Sequence, residues 1–391
     1  MKDTIILAVK SIGHKGRFGS IACIFVLLLG VLAGCGQNWQ ATIVTPNGDL
    51  FAVDHELLDD LTMFADRENG IPLERVFWTA GHYAIEQLFL VEKEGIVHEF
   101  FWADVADDAW WRDSGEIVIG DVTLSVERLE VKPPALLDEV QAHITDIAPA
   151  VASAMRLPMP ALSGNGVLEV PDADQVLLLF LDGFGYVRYT EARDAGLIPN
   201  ISTLPEPIIG LTEYPPSTRV GTASLLTGAS SRINGVADRS TRSTEVETLF
   251  DVATSADLRV VTVEGDALAF NLRGTEIQLS GDRDGNGWTD DNVLGNTLSV
   301  LEEGMPDLFY VHFHGIDDAG HTYGPGAAEE QAVIAEVDAA VGEILDALPA
   351  NTLIIIFADH GMHQVDEEEK TGNHGNLILR DMFIPIFILQ K

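Results

Sequence analysis

Five predominantly apolar runs punctuate the chain from residue 176 onward, at 176–181, 260–263, 308–313, 353–358 and 383–389, each followed by polar residues. A strand with one wet face alternates apolar and polar positions. A run that is apolar throughout is buried on both faces, as in a parallel sheet covered by helices on each side. Helix-compatible segments such as 327–348 lie between the runs. The pattern predicts an α/β domain over residues 172–391, a mostly parallel sheet with helices on both faces. Ligands of such sheets bind beyond the carboxyl ends of the strands.

The pattern upstream differs. Leu137, Val140, Ile144, Ile147 and Val151 recur three or four apart, which predicts a helix over 136–155. Residues 157–166, rich in proline and glycine, read as a linker, so 136–171 forms a helix and linker. Residues 35–135 hold short strand-like stretches at 42–44, 97–101, 116–119 and 122–126 among charged turns. They predict a small β-rich or α+β accessory domain. Its Trp102, Trp110 and Trp111 read as aromatic core more readily than as a ligand surface.

The first 34 residues stand apart. Lys2, Lys10, Lys15 and Arg17 surround the approach to an apolar run at 21–31. That run is shorter than the roughly 20 residues a bilayer needs and has the length of a signal-peptide core. The following Leu32, Ala33, Gly34 and Cys35 resemble a bacterial lipoprotein box. This implies lipidation of Cys35 and a lipid anchor holding the chain on the extracytoplasmic face of a bacterial cell membrane. With Cys23 in the leader and Cys35 lipidated, the mature chain has no cysteine left for a disulfide, and packing and metal must stabilise it. A net charge of −38 argues against a nucleic-acid-binding surface, which needs clustered Lys and Arg.

Carboxylates and imidazoles gather just after the apolar runs. Asp182 and Gly183 close the first, Asp317 and His321 follow the third in a glycine-flanked loop, and Asp359 and His360 end the fourth. His374 comes shortly after, and the segment 214–228 offers Ser217 and Thr218 ahead of a helix-forming stretch. Each piece alone has a plain reading as a turn, a core histidine or a helix cap. Their shared position after strands points to a metal-dependent hydrolase.

On these motifs, residues 176–391 resemble the alkaline phosphatase superfamily, in its type I phosphodiesterase/nucleotide pyrophosphatase branch. The resemblance implies two divalent metal ions, usually zinc, with manganese the chemical alternative. Asp182, Asp359, His360 and the Thr218 oxygen would hold one, and Asp317, His321 and His374 the other. Thr218 would be the nucleophile, forming a phosphothreonine with a small phosphate-ester substrate. Arg239 stands where the family often has an Asn that holds a phosphate oxygen, and Arg grips phosphate bidentately. It favours a monoester over a diester. The short acidic loop between His360 and His374 replaces a longer family insertion, which leaves a nucleotide substrate open to doubt. Phosphonates, phospholipid headgroups and a catalytically silent metal-binding lipoprotein are the other readings.

A second cation loop is suggested at 282–291. Asp282, Asp284, Asn286, the Trp288 carbonyl and Asp290 fall at the spacing of a calcium loop, but Val293 replaces the terminal bidentate Glu. His312 and His314 share one face of a strand and carry no assigned role.

Overall fold

The structure, a computed structural model, describes residues 39–65, 69–283, 285–365 and 370–391. The described residues from 39 onward form one compact unit. Its centre is an eight-stranded sheet built from β1 (Ala142–His143), β2 (Val176–Leu181), β3 (Ile208–Leu211), β4 (Val260–Glu264), β5 (Glu276–Leu279), β6 (Leu308–Phe313), β7 (Leu353–Phe357) and β8 (Phe383–Gln390). The order across the sheet is β1-β3-β8-β7-β2-β6-β4-β5.

The five apolar runs all become strands, and β2, β4, β6 and β7 are buried from end to end. Pairings of β2 with β6 and β7, and of β4 with β5 and β6, are parallel. The last run departs from the expectation, since β8 lies antiparallel to both β7 and β3. An apolar run reports burial and says nothing of direction. The only helix among the described residues between β7 and β8 is the four-residue Leu379–Met382, not the long crossover that a parallel connection requires, and the chain returns from the end at which it left.

Two helix groups cover this sheet. One contains α1 (Ile147–Ala154), α3 (Thr218–Thr227) and α4 (Leu249–Ser255), and the other α5 (Asp290–Glu303), α6 (Gly315–Tyr323) and α7 (Ala328–Ala347). Between β2 and β3 lies α2 (Tyr186–Asp194), which packs on β8. Asp338 on α7 accepts from the Asn200 and Ile201 N–H groups at 3.0 and 2.8 Å, fixing the helix to the loop after α2.

The expected helix over 136–155 is not formed as one element. Residues Ala135–Glu139 make a 3-10 turn, β1 follows, and α1 begins only at Ile147. Pro149 lacks an N–H and is tolerated in a first helical turn, not mid-helix. The Gln141 N–H is drawn instead to the Ile209 carbonyl, which pairs this segment with β3.

N-terminal to this, a five-stranded sheet runs in the order Leu50–Val53, Ala41–Val44, Val126–Lys132, Gln87–Glu92, Val97–Phe101. A four-stranded antiparallel sheet joins Ile71–Pro72, Ala109–Trp111, Ile117–Ile119 and Val122–Leu124. Trp102 and Trp111 are fully buried with Phe77. The same core takes in Leu211, Tyr214, Leu377 and Phe383, so the β-rich part packs directly against segments flanking the strand ends.

Candidate metal centre and active site

The candidate ligands converge beyond the carboxyl ends of the three central strands, β7, β2 and β6. Asp182 directly follows β2, and Asp359 and His360 follow β7. Asp317 and His321 lie on α6, not in the loop expected for them. Four residues apart, they share one helix face, and His321 Nε2 is 3.4 Å from Asp317 Oδ2.

Two glycines permit the close approach. Gly183 sits at φ +71°, where a side chain would strain the backbone, and a Cβ there would meet Asp317 at 3.0 Å. A Cβ on Gly221 would come within 2.8 Å of Asp359 Cβ, so only glycine lets α3 settle against the end of β7.

His360 Nε2 lies 3.2 Å from Asp359 Oδ2 and 3.4 Å from Asp182 Oδ1. Thr218 Oγ1 reaches the same Asp182 oxygen at 3.5 Å. His374 Nε2 is 3.7 Å from Asp317 Oδ1, and its ring stacks on that of His360 at 3.8 Å. His374 Nδ1 donates to the Pro216 carbonyl at 2.8 Å, and His321 Nδ1 to the Gly372 carbonyl at 2.8 Å. Each therefore has Nε2 left as a lone-pair donor.

This donor set fits divalent cations. Asp317 Oδ1, Asp359 Oδ2 and His360 Nε2 are buried without a hydrogen-bond partner among the described residues, which is costly unless a cation satisfies them. Asp182, Asp359 and His360 can converge on one ion, and Asp317, His360 and His374 on another. Burial, with Asp182 and Asp317 alongside, pushes the Asp359 carboxyl well above its usual range. Burial and the nearby His360 and Arg239 charges hold His374 well below its usual value, in the neutral form a metal requires.

Behind Asp182 lies a group that sequence reasoning left unassigned. His312 Nε2 faces Asp182 Oδ2 at 3.1 Å, and His314 Nδ1 the same oxygen at 3.5 Å. Their other nitrogens meet Glu264 at 3.0 and 2.7 Å. Burial alone would raise the Asp182 carboxyl, but these two rings override it and hold it well below the usual range. Glu264 ends an apolar run and precedes Gly265, the same signal that marked Asp182 and Gly183.

At the mouth is a groove of about 300 Å³ lined by Thr218, Arg219, Arg239, Asp317, His321 and His374, among others. Ser217 is the N-cap of α3 and Thr218 its first residue, so Thr218 is not itself the cap. Ser217, Thr218 and Arg219 line the groove, and a first helical turn leaves its N–H groups free. Arg239 is exposed at the rim of this groove, beside His374, and donates to its carbonyl.

The turn after His374 is pinned by Asp381, whose Oδ2 accepts from the Gly375 and Asn376 N–H groups at 2.9 and 3.0 Å. Asp381 also meets His363 Nδ1 at 2.9 Å. Burial lowers the His363 pKa, but Asp107 and Asp381 outweigh it and raise it to about 10. A raised histidine stabilises the fold fully below its unfolded value near 6.5, and this contribution fades as pH rises through 10. Denaturant titrations across pH 7–10 should show stability falling less steeply in His363→Gln than in the parent. Equal slopes would contradict the pairing.

In the candidate calcium loop, Asp282 accepts from the Gly285, Asn286 and Gly287 N–H groups at 2.8, 3.1 and 3.0 Å. The Asn286 side-chain oxygen accepts from the Trp288 N–H at 2.7 Å. Asp290 is engaged with the His314 and Gly315 N–H groups at 3.0 and 2.9 Å. Asp284 lies outside the described residues, as do Cys35 and the leader.

The model of the type I phosphodiesterase / nucleotide pyrophosphatase family matches residues 176–384. Among curated proteins the chain is 34% identical over 102 residues to GPI ethanolamine phosphate transferase 3 of Eremothecium gossypii, covering 23% of this chain and 9% of that protein. It is 28% identical over 86 residues to the catalytic subunit of the human GPI ethanolamine phosphate transferase 3, covering 22% and 7%. The match thus spans less than a tenth of either relative. A phosphonoacetate hydrolase from Sinorhizobium meliloti, solved with phosphonoacetate, aligns with a TM-score of 0.43 at 20% identity, over 54% of this chain and 62% of that one. That likeness concerns the fold alone.

These matches correct the expectation of a bacterial, lipid-anchored, extracytoplasmic location, because the curated relatives are eukaryotic transferases. The lipoprotein-box reading rested on four residues around Cys35, too short a pattern to stand against matches of 86 residues and more. Among the described residues, no helix is long and apolar enough to cross a membrane.

Proposed function

Because the chain belongs to the type I phosphodiesterase / nucleotide pyrophosphatase family, we propose that it is a metal-dependent enzyme hydrolysing small phosphate esters through a phosphothreonine on Thr218. The reading rests above all on Thr218 Oγ1, placed 3.5 Å from Asp182 Oδ1 at the start of α3, beside a buried donor set with orphaned atoms.

Asp182, Asp359, His360 and Thr218 would hold one divalent ion, and Asp317, His321 and His374 the other. Bound there, such ions lower the pKa of a coordinated hydroxyl and offset charge on the transferring and leaving oxygens. Thr218 Oγ attacks phosphorus, the ester oxygen departs with its alcohol, and the first-turn N–H groups of α3 hold the non-bridging oxygens. Water then attacks the phosphothreonine, freeing phosphate and restoring Thr218. Arg239 supplies charge for a phosphate bearing two negative charges, as a monoester does.

Metal content and turnover of aryl phosphate monoesters and diesters, with Arg239→Ala alongside, test this. The expected result is two divalent ions per chain and hydrolysis of both classes. Arg239→Ala should raise KM for the monoester by about 10-fold or more, a loss of 1.4 kcal/mol or more, with a smaller change for the diester. Metal-loaded protein that hydrolyses neither class would overturn the reading.

A second reading follows from the curated relatives, which are named as ethanolamine phosphate transferases. In it an acceptor alcohol replaces water in the second step, at the same Thr218. Adding a primary alcohol to the assay and measuring how product divides between free phosphate and the new ester separates the two.

A further inference from the structure

We propose that the helix Leu73–Thr79, in the N-terminal part of the chain, clamps the three segments that carry Thr218, Arg239 and His374, with Glu74 as its principal positioning residue. The proposal builds on the roles given above to Thr218 and His374.

Glu74 is 4% exposed. Its Oε1 accepts from the Leu377 N–H at 2.9 Å and from Trp102 Nε1 at 3.2 Å. Its Oε2 accepts from the Tyr214 hydroxyl at 3.3 Å. Leu377 is three residues beyond His374, and Tyr214 is four before Thr218. One carboxyl therefore ties the strand of chain leaving the metal ligand to the one arriving at the nucleophile. Within the site the same two segments meet again, through His374 Nδ1 and the Pro216 carbonyl at 2.8 Å.

The neighbouring residues extend the grip. Arg75 donates to the Ala237 carbonyl at 3.2 Å, two residues before Arg239, and its guanidinium lies 4.7 Å from the centre of the Tyr214 ring. Trp78 lies against Tyr214, with ring centroids 5.7 Å apart, and the Arg232 guanidinium lies 3.9 Å from the centre of the Trp78 ring. Just past the helix, the Ile85 N–H donates to the Leu377 carbonyl at 2.7 Å.

A helix that served only to fill space would be covered more cheaply by apolar side chains. A buried carboxyl is tolerated when its hydrogen bonds are met, and it then fixes the partners that meet them. Here the partners are segments of the catalytic apparatus, for which displacements near 1 Å are expensive. Burial lifts the Glu74 carboxyl to about 8, so at neutral pH the neutral acid predominates. Glutamine mimics it by keeping the Oε1 acceptor and directing an N–H, like the acid's O–H, at the Tyr214 oxygen.

Glu74→Ala, Glu74→Gln and Tyr214→Phe in the full chain test the clamp. Loss of an outer-shell partner typically lowers metal affinity or activity by about 10–100-fold, and Glu74→Ala should show it in kcat more than in KM, with faster metal loss to a competing chelator. Hydrogen exchange should quicken in peptides covering 214–218 and 374–378, and stay as in the parent at 176–181 and 353–357. Glu74→Gln should restore kcat and metal retention to within about threefold of the parent, which a gap left by alanine would not. Tyr214→Phe, which removes one hydroxyl, should loosen the same peptides to a smaller degree and decides the matter if Glu74→Ala does not fold. Unchanged exchange at both peptides in every variant, or loosening spread evenly through the central sheet, would overturn the proposal. Exchange and metal retention are read without turnover, so a parent protein that hydrolyses no phosphate ester would sink the proposed function and leave the clamp still decided.

Discussion

Thr218→Ala should lower kcat for an aryl phosphate by on the order of 10⁴-fold or more, the scale on which removal of an activated nucleophile is felt. The protein should remain folded, because the first helical position accepts alanine and Ser217, not Thr218, occupies the N-cap position. Ser217 does not stand in readily. Its hydroxyl is buried and makes no hydrogen bond among the described residues, whereas Thr218 Oγ1 is the one beside Asp182. Thr218→Ser keeps an attacking oxygen at the same place and should retain far more activity than alanine. Brief reaction with labelled substrate followed by acid quenching should leave phosphate on the parent chain and none on Thr218→Ala. Full turnover in the alanine variant would end the assignment of Thr218 as nucleophile.

Stripping divalent ions with a chelator should abolish turnover and, separately, weaken the fold. Asp182, Asp317 and Asp359 are brought close together at the strand ends, and the burial of Asp359 beside the other two pushes its carboxyl well up. Without cations the site must take up protons or leave carboxylates repelling one another. A ligand that binds only the folded state stabilises it by about 4 kcal/mol at a thousandfold excess over Kd. Calorimetry with and without chelator should therefore show a fall in Tm of at least about 5 °C, reversed by zinc or manganese. Asp359→Asn removes part of the repulsion, so its metal-free form should melt above the metal-free parent. If the chelated parent melted where the loaded one does, these residues would not be holding ions that matter to the fold.

The parts of the site legible in the sequence were those encoded by neighbours in the chain. A buried strand announces itself by an unbroken apolar run, and Asp182 and Asp359 stand out because a carboxylate after such a run has nowhere apolar to go. The α3 and α7 helices were visible for the same local reason. Direction and partnership were not visible. The run that became β8 reads like the others, and its antiparallel course depends on the connection before it. The apolar spacing over 136–155 fits a helix, but Gln141 finds a better partner in Ile209, and Pro149 sets where α1 can begin. Glu74 gave no local signal at all, because its partner Leu377 is 303 residues away. Glu264 did carry a signal, in its position before Gly265, and its importance lies in His312 on another strand and His314 just past that strand's end.

The reversal of β8 also bears on how substrate choice could change. Residues 358–382 leave the sheet after β7 and re-enter it through β8, the adjoining strand, so both ends of this excursion are anchored side by side. Within it, His363 and Gln364 pair with Asn373 and Gly372 to form a short stem. The excursion is thus a cassette with a fixed base, carrying Asp359 and His360 on one limb and His374 on the other. Doubling the length of a loop beyond such a stem costs only about 0.6 kcal/mol. An insertion beyond the stem can therefore be accommodated while the ligands at its base and the sheet beneath keep their places.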